Sequence, residues 1–310
     1  MVEHAYAALL GTSAAMARLR GWLPKVARSD ASVLITGETG TGKERVAHTI
    51  HSGSARADRP FVAINCATIP DSLFESELFG FERGAFTGAA IAHPGKLRIA
   101  HGGTVFLDEI GELSPYAQSK LLRVLESCEF FPLGATKTVT VDVRVITATS
   151  RPLELLVAER GFRSDLFYRL NVARIELPPL KERKEDIIVF LTHYLKEFGI
   201  KKARLPPVPT PEFLECLLAH DWPGNVRELR NLVESVFIDP PERSLGLDDL
   251  PEYFRAIFGR YRSVESSERD RILKALAATD WNVSHAAASL SWSRMTLYRK
   301  LAKYDIAKNL

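Results

Sequence analysis

The segment GETGTGKE, Gly37 to Glu44, constrains this chain more than any other. It follows VLIT (Val33 to Thr36), an apolar run that reads as a buried strand, and it opens a helical pattern from Lys43 to Ser52. Strand, glycine-rich turn and helix in that order are the context a phosphate-binding loop requires. Gly37, Gly40 and Gly42 let backbone N–H groups turn onto phosphate oxygens, with Glu38, Thr39 and Thr41 between them. The N-terminus of the following helix adds a favourable dipole. Lys43 would reach the β- and γ-phosphates as a point charge. The general pattern has Ser or Thr after the lysine as a magnesium ligand, but here Glu44 stands there. That leaves magnesium to Asp108, phosphates and water.

Further apolar runs alternate with helical patterns. FVAI (Phe61 to Ile64), TVFL (Thr104 to Leu107), VRVITA (Val143 to Ala148) and VARIEL (Val172 to Leu177) read as strands, and Tyr116 to Glu126 reads as a helix. Continuous apolar strands separated by helices predict a parallel sheet covered on both faces, hence α/β architecture. LPPL at Leu177 to Leu180 breaks the pattern. Lys184 to Val236 reads as helices only, interrupted by LPPVPTP and WPGN. The expected organisation is an α/β unit over 1–177, an all-helical subdomain over 178–238, a Pro/Gly-marked linker over 239–262 and a helical unit over 263–310.

GGTVFLDEI places Asp108 and Glu109 at the end of an apolar strand. Two adjacent carboxylates there are costly unless they meet a cation or a partner. With a phosphate loop upstream, Asp108 is expected on magnesium and Glu109 beside the attacking water. The alternative is a helix cap followed by a first-turn acid. Asn65 ends the FVAI strand and either caps it or holds Glu109 in an inactive rotamer until a signal arrives. His48 and His51 lie one helical turn apart, but no third ligand is evident, so packing is the expectation rather than metal.

GAFTGA, Gly84 to Ala89, is a second short motif. Gly84, Ala85, Gly88 and Ala89 would leave a thin, mobile tip carrying Phe86 and Thr87. An exposed Phe is unfavourable unless a partner covers it, since full burial is worth about 1.5–3 kcal/mol.

Net charge is only +3, but the C-terminus is locally basic: Arg294, Arg299, Lys300, Lys303 and Lys308 against Asp305. Ala286, Ala287, Leu290, Leu297 and Leu301 supply a small core for two crossing helices. Ser293 is a suitable N-cap for the second. That helix would carry Arg294, Thr296, Tyr298, Arg299 and Lys300 outward, with Lys303 at its end, as donors to phosphates and base edges. With the helix before it, Glu265 to Ala277, it would dimerise on a palindromic site, and binding should weaken steeply with salt. The three cysteines, Cys66, Cys128 and Cys216, are far apart, as expected of reduced thiols in a cytoplasmic protein. No apolar run approaches the roughly 20 residues of a membrane span. MVEHAYAALL lacks the basic start and long apolar stretch of a secretory signal.

With these residues assembled, Leu10 to Val236 resembles the AAA+ domain of bacterial enhancer-binding proteins, the activators of sigma-54 RNA polymerase. GETGTGKE fits that family's own phosphate loop, so Glu44 is a family trait. ESELFGFERGAFTGA, GGTVFLDEI, FRSDLFYRLNV, LPPLKERKEDI and WPGNVRELRN follow in the family's order, and the C-terminal segment resembles its Fis-type helix-turn-helix. The resemblance implies an AAA+ P-loop ATPase with a small all-α lid, ATP and Mg2+ as cofactors, and a homo-oligomer, dimer to hexamer. It implies sigma-54 holoenzyme and double-stranded enhancer DNA as partners, with Phe86 and Thr87 contacting sigma-54. By the same resemblance Arg163 and Arg169 are arginine fingers reaching a neighbouring subunit's γ-phosphate, and Arg227 is the second sensor residue. Thr149 is placed in the first sensor region, where Ser150 replaces the usual asparagine, so that either Ser150 serves there or the reading of the γ-phosphate is altered. Ser291 stands where glycine is common in the helix-turn-helix turn. The ATPase-like segment begins near residue 1, so control by a regulatory protein in trans is expected. Other DNA-associated AAA+ machines, such as replication initiators or helicase loaders, lack GAFTGA. A vestigial, non-catalytic fold would not need Lys43, Asp108, Glu109 and both arginines.

Overall fold

The computed structural model describes residues 9–279, 281–304 and 306, with the backbone alone for 260–270. Asp305, Lys308 and the first eight residues lie outside the described residues, as do the side chains at the start of the expected dimerisation helix. The chain divides into two compact units, Met1–Glu197 with Asp221–Val233 and Phe198–His220 with Glu234–Leu310.

In the first unit the apolar runs become β1 (Val33–Thr36), β2 (Phe61–Asn65) and β3 (Thr104–Asp108), then, after a two-stranded ribbon of β4 (Glu129–Phe130) and β5 (Val139–Thr140), β6 (Arg144–Thr149) and β7 (Ala173–Glu176). Apart from the ribbon these strands form one parallel sheet in the order β2-β3-β6-β1-β7. Successive strand residues face opposite sides. Val33, Ile35, Phe106, Ile146, Ala148 and Ile175 therefore share a core with the helices Ala14–Arg28 and Lys43–Ser52. Leu34, Val105, Leu107 and Val145 face the other way, onto the helices Asp71–Phe79, Pro115–Ser127 and Ser164–Leu170. Burial on both faces is why the strands lack polar alternation.

Arg144 opens β6 and is almost fully buried. Its guanidinium donates to Val26 O (2.7 Å) and Ala27 O (2.9 Å). Those carbonyls lie in the last turn of the helix Ala14–Arg28, where Val26 O also accepts from Ser29 N at 3.2 Å, so the charge closes a helix end against the sheet.

In the second unit the helix Pro211–Ala219 starts at Thr210, whose hydroxyl accepts from Phe213 N. The LPPVPTP interruption expected between helices holds β8 (Val208–Pro209), paired in parallel with β9 (Ser244–Leu245). Pro209 has no N–H, so the donors on either side, Val208 N and Thr210 N, reach Arg243 O and Leu245 O at 2.9 Å. The 239–262 segment, expected as a linker, contains β9 and the start of a 27-residue helix, Glu252–Ala278. Pro251 stands at that helix's N-cap, so the proline that reads as a linker signal starts a helix instead. Phe254 and Phe258 stack along it at 6.5 Å, and Phe198 stacks on Phe237 at 6.0 Å.

The helices Val283–Ser289 and Arg294–Lys303 close the chain around Ile272, Leu276, Ala286, Ala287 and Leu297. Ser291 has φ 58° in the turn between them, the left-handed geometry that glycine adopts without strain.

Candidate functional site

The carboxyl ends of β1, β2 and β3 meet in one cleft of about 430 Å3. Gly40, Lys43, Asn65, Asp108, Glu109 and Arg227 all line it. In an open α/β sheet this edge is where ligands bind. Gly42 caps the helix Lys43–Ser52 with φ 106°, and an added Cβ there would meet nothing within 4 Å. Glycine at this position therefore serves backbone conformation rather than room.

Lys43 is buried, and its ammonium donates to Gly37 O at 2.9 Å and lies 3.3 Å from Glu109 Oε1. Glu109 Oε2 accepts from Ser150 N (3.0 Å) and Ser150 Oγ (2.9 Å). Burial pushes the Glu109 carboxyl up, but the two Ser150 donors and the Lys43 charge outweigh it, so the group sits below its ordinary value. Glu109 is thereby held ionised, with φ 50°. Burial and the neighbouring Glu109 charge push Asp108 the other way, against its bond from Glu109 N and the pull of Lys43. An additional cation beside Asp108 would relieve that cost.

Asn65 pairs in register with Asp108. Its amide oxygen accepts from Ala67 N at 2.9 Å, so in this structure it caps the strand end, while Lys43 and Ser150 are the residues that hold Glu109. Thr149, expected in the first sensor site, is fully buried and its hydroxyl accepts from Arg151 N. The side chain that reaches Glu109 is Ser150, one residue on, because β6 ends at Thr149 and the chain turns there.

Sequence reasoning missed Asn225. It is fully buried, has φ 51° and starts the helix Asn225–Val236 that bears Arg227. Its amide donates to Glu38 Oε2 (3.0 Å) and Thr39 O (3.1 Å), and its oxygen accepts from Leu180 N (2.7 Å). Gly40 seals the same junction: Val226 N donates to Gly40 O at 3.0 Å, and a Cβ on Gly40 would lie 2.3 Å from Gly224 O. The Glu38 carboxylate and the Thr39 carbonyl are therefore engaged by Asn225, while Thr39 still lines the cleft. Replacing Asn225 by alanine should destabilise the first unit by about 1–3 kcal/mol, since a buried Leu180 N–H loses its acceptor. Urea unfolding measures this. Wild-type stability in Asn225→Ala would show that the amide holds nothing together.

A smaller slot adjoins the cleft at Gly42, Arg45 and Val226, lined also by Leu9, Leu10 and Thr41. Arg183 lies buried against it, its Nη2 donating to Thr41 O at 3.0 Å and its guanidinium 5.8 Å from the Phe190 ring. Asp186 accepts from Ser13 N (2.8 Å) and Ser13 Oγ (2.7 Å), tying the chain before the first helix to this wall.

The GAFTGA segment is a closed turn. Gly84 N donates to Ala89 O (2.9 Å) and Ala89 N to Phe86 O (3.0 Å), with positive φ at Gly84 and Gly88. Thr87 is exposed and Ala89 buried. Phe86 is 46% exposed, with its ring 4.9 Å from that of Phe81, so the aromatic is propped on one side and open on the other. Arg163 pairs with Asp165 (2.7 Å) and donates to Ser119 Oγ (3.1 Å). Arg169 donates to Leu125 O (2.8 Å). Neither lines its own chain's cleft. His51 Nδ1 lies 2.9 Å from Thr104 Oγ1 and both histidine rings pack on Phe61. Among the described residues there is no cluster of three metal-ligating side chains. In the second unit Ser293 accepts from Thr296 N at 3.1 Å and caps the last helix.

Comparison with known proteins adds to this geometry. Residues 9–176 match the family described as Sigma-54 interaction domain, residues 181–266 the AAA+ ATPase lid domain, and residues 263–304 the bacterial regulatory proteins of the Fis family. The transcriptional regulatory protein ZraR of Salmonella typhimurium is 43% identical over 301 residues, spanning 95% of this chain and 68% of that protein. The phenol regulator MopR of Acinetobacter guillouiae is 42% identical over 314 residues, spanning 96% of this chain and 56% of that protein. Among solved structures, NtrX from Brucella abortus in complex with ATP superposes with a TM-score of 0.73 at 37% identity, covering 96% of this chain and 69% of that one.

Proposed function

The chain belongs to the sigma-54-dependent transcriptional activators, and on that premise we propose that it hydrolyses ATP in the Lys43–Asp108–Glu109 cleft to remodel the closed sigma-54 polymerase complex into the open one. The observation that carries this reading is the ionised Glu109 beside Lys43 at the strand ends, in a chain whose exposed turn bears Phe86 and Thr87.

Each residue has a role in that reading. Backbone N–H groups of Gly37–Gly42 and the Lys43 ammonium hold the phosphates. Glu109 orients the attacking water and accepts its proton. Arg227 lines the cleft from a helix fixed to the phosphate turn through Asn225 and Val226, so it senses the γ-phosphate position. The apolar slot bounded by Leu9, Leu10 and Val226 takes the base. Magnesium fits the donors present: it is held by one or two carboxylates plus substrate phosphates, and Asp108 supplies a half-buried carboxylate whose charge is otherwise disfavoured. When bound, the ion would neutralise charge on the phosphates. Arg163 and Arg169 serve the cleft of an adjoining copy, so the working form is an oligomer, up to a hexamer. The C-terminal helices hold duplex enhancer DNA, and the action is cytoplasmic, where polymerase and chromosome are. No helix among the described residues is long and apolar enough to cross a membrane.

The test separates hydrolysis from its use. Thr87→Ala in the full chain should retain Mg-ATP turnover, yet form no permanganate-reactive open complex with sigma-54 holoenzyme on a supercoiled template. Open complexes at the wild-type level would overturn the assignment of the turn.

A further inference from the structure

The helix Arg294–Lys303 carries an apolar centre within a basic frame. At 3.6 residues per turn, Met295, Tyr298, Arg299 and Ala302 fall on one stripe, with Arg294 at one margin and Lys303 at the other. These six are exposed, whereas Leu297 is buried and Thr296, Lys300 and Leu301 are half-buried. Met295 is 77% exposed and Tyr298 53%. The polar groups beside them are turned to local partners. Thr296 Oγ1 bonds Ser293 Oγ at 2.8 Å, and the half-buried Lys300 stands 5.4 Å over the Trp292 ring, while Lys303, 4.9 Å over the Tyr304 ring, is itself exposed at the margin.

A methionine in the middle of a helix's open face has no role in the fold, because the core on this side is already filled by Leu297, Ala286 and Ala287. The surroundings say what covers it. Four cations and no carboxylate occupy this helix, which matches a polyanion. Ala302, near the stripe's centre, keeps the surface low enough for close approach. In the major groove of duplex DNA the thymine 5-methyl is the distinctive apolar group on a base edge, and apolar side chains read it. The marginal cations would then straddle the groove and take phosphates, which position the helix without reading sequence.

We propose that Met295, with Tyr298 beside it, is the sequence-reading centre of this helix and packs on a thymine 5-methyl, while Arg294 and Lys303 hold the flanking phosphates. This rests on the reading of the C-terminal helices as a duplex-DNA binder. The test uses the full chain. A binding site is selected from a randomised duplex library, and each thymine is then replaced in turn by deoxyuridine, which lacks only the methyl. Wild-type affinity should fall about fourfold at one or two thymines per half-site, the effect of removing one buried carbon. Met295→Ala should lose that discrimination and Met295→Leu should restore it. Lys303→Ala should weaken all sequences alike and reduce the salt slope by about one. The inference is overturned if deoxyuridine is tolerated at every position, or if Met295→Ala discriminates as the wild type does. A wild-type chain that selects no site and binds without salt dependence would instead defeat the underlying DNA-binding reading, and the inference with it.

Discussion

Glu109→Gln should reduce ATP turnover by about 10²–10⁴-fold, the usual contribution of a positioned general base, while nucleotide binding persists. The substitution is nearly isosteric, so Ser150 N and Oγ keep an acceptor where Oε2 now takes both bonds. What disappears is the negative charge that Lys43 and Ser150 stabilise. A neutral amide can orient a water but cannot take its proton. Lys43 is freed from its 3.3 Å partner and remains available to phosphates, so affinity should hold or rise. Steady-state phosphate release and titration calorimetry with Mg-ATP give the two readouts. Turnover within a factor of about two of the wild type would remove Glu109 from the chemistry, because no general base contributes so little.

Alanine at Arg163 or Arg169 should cost about 10³–10⁵ in turnover for whichever is a finger, the range measured for such groups. Within one chain neither borders the cleft. Arg163 is engaged with Asp165 and Ser119, and Arg169 with Leu125 O. Arg163 and Asp165 are both solvent-exposed, and an exposed pair is weak enough to exchange for a phosphate. If the two groups act across a subunit boundary, an equimolar mixture of Arg163→Ala with Glu109→Gln chains should regain activity that neither has alone, because each Arg163→Ala cleft can then receive a neighbour's intact arginine. Specific activity of the wild type should rise with protein concentration. A mixture as inactive as its components, for both arginines, would place their effect within the single chain.

Much of this was legible beforehand. The strand runs were readable because burial on both faces strips them of polar residues, and the Gly37 to Lys43 turn because its glycines take positive φ between a strand and a helix. Ser293 was found through the chemistry of its hydroxyl. The partner of Glu109 was not. Position 149 and position 150 differ only in which way the chain leaves β6, and no property of either side chain encodes that exit. Asn225 was passed over because WPGN reads as punctuation. Its signal was present in retrospect, an asparagine able to take positive φ at a helix start, but its three bonds reach residues 45 and some 186 positions away. The 239–262 stretch misled for a related reason. Proline marks where a helix cannot continue, and equally where one can start, and only the pairing of β9 with β8 and the helix after Pro251 decide between the two.

The contact of Gly40 with Gly224, and the bond from Val226 N, have a mechanical corollary. No side chain fits between those two backbones, so the root of the Arg227 helix lies directly against the Gly37–Gly42 turn. On the function proposed above, a change in phosphate occupancy that shifts this turn would carry the first turn of the Arg227 helix with it, through the Val226–Gly40 bond.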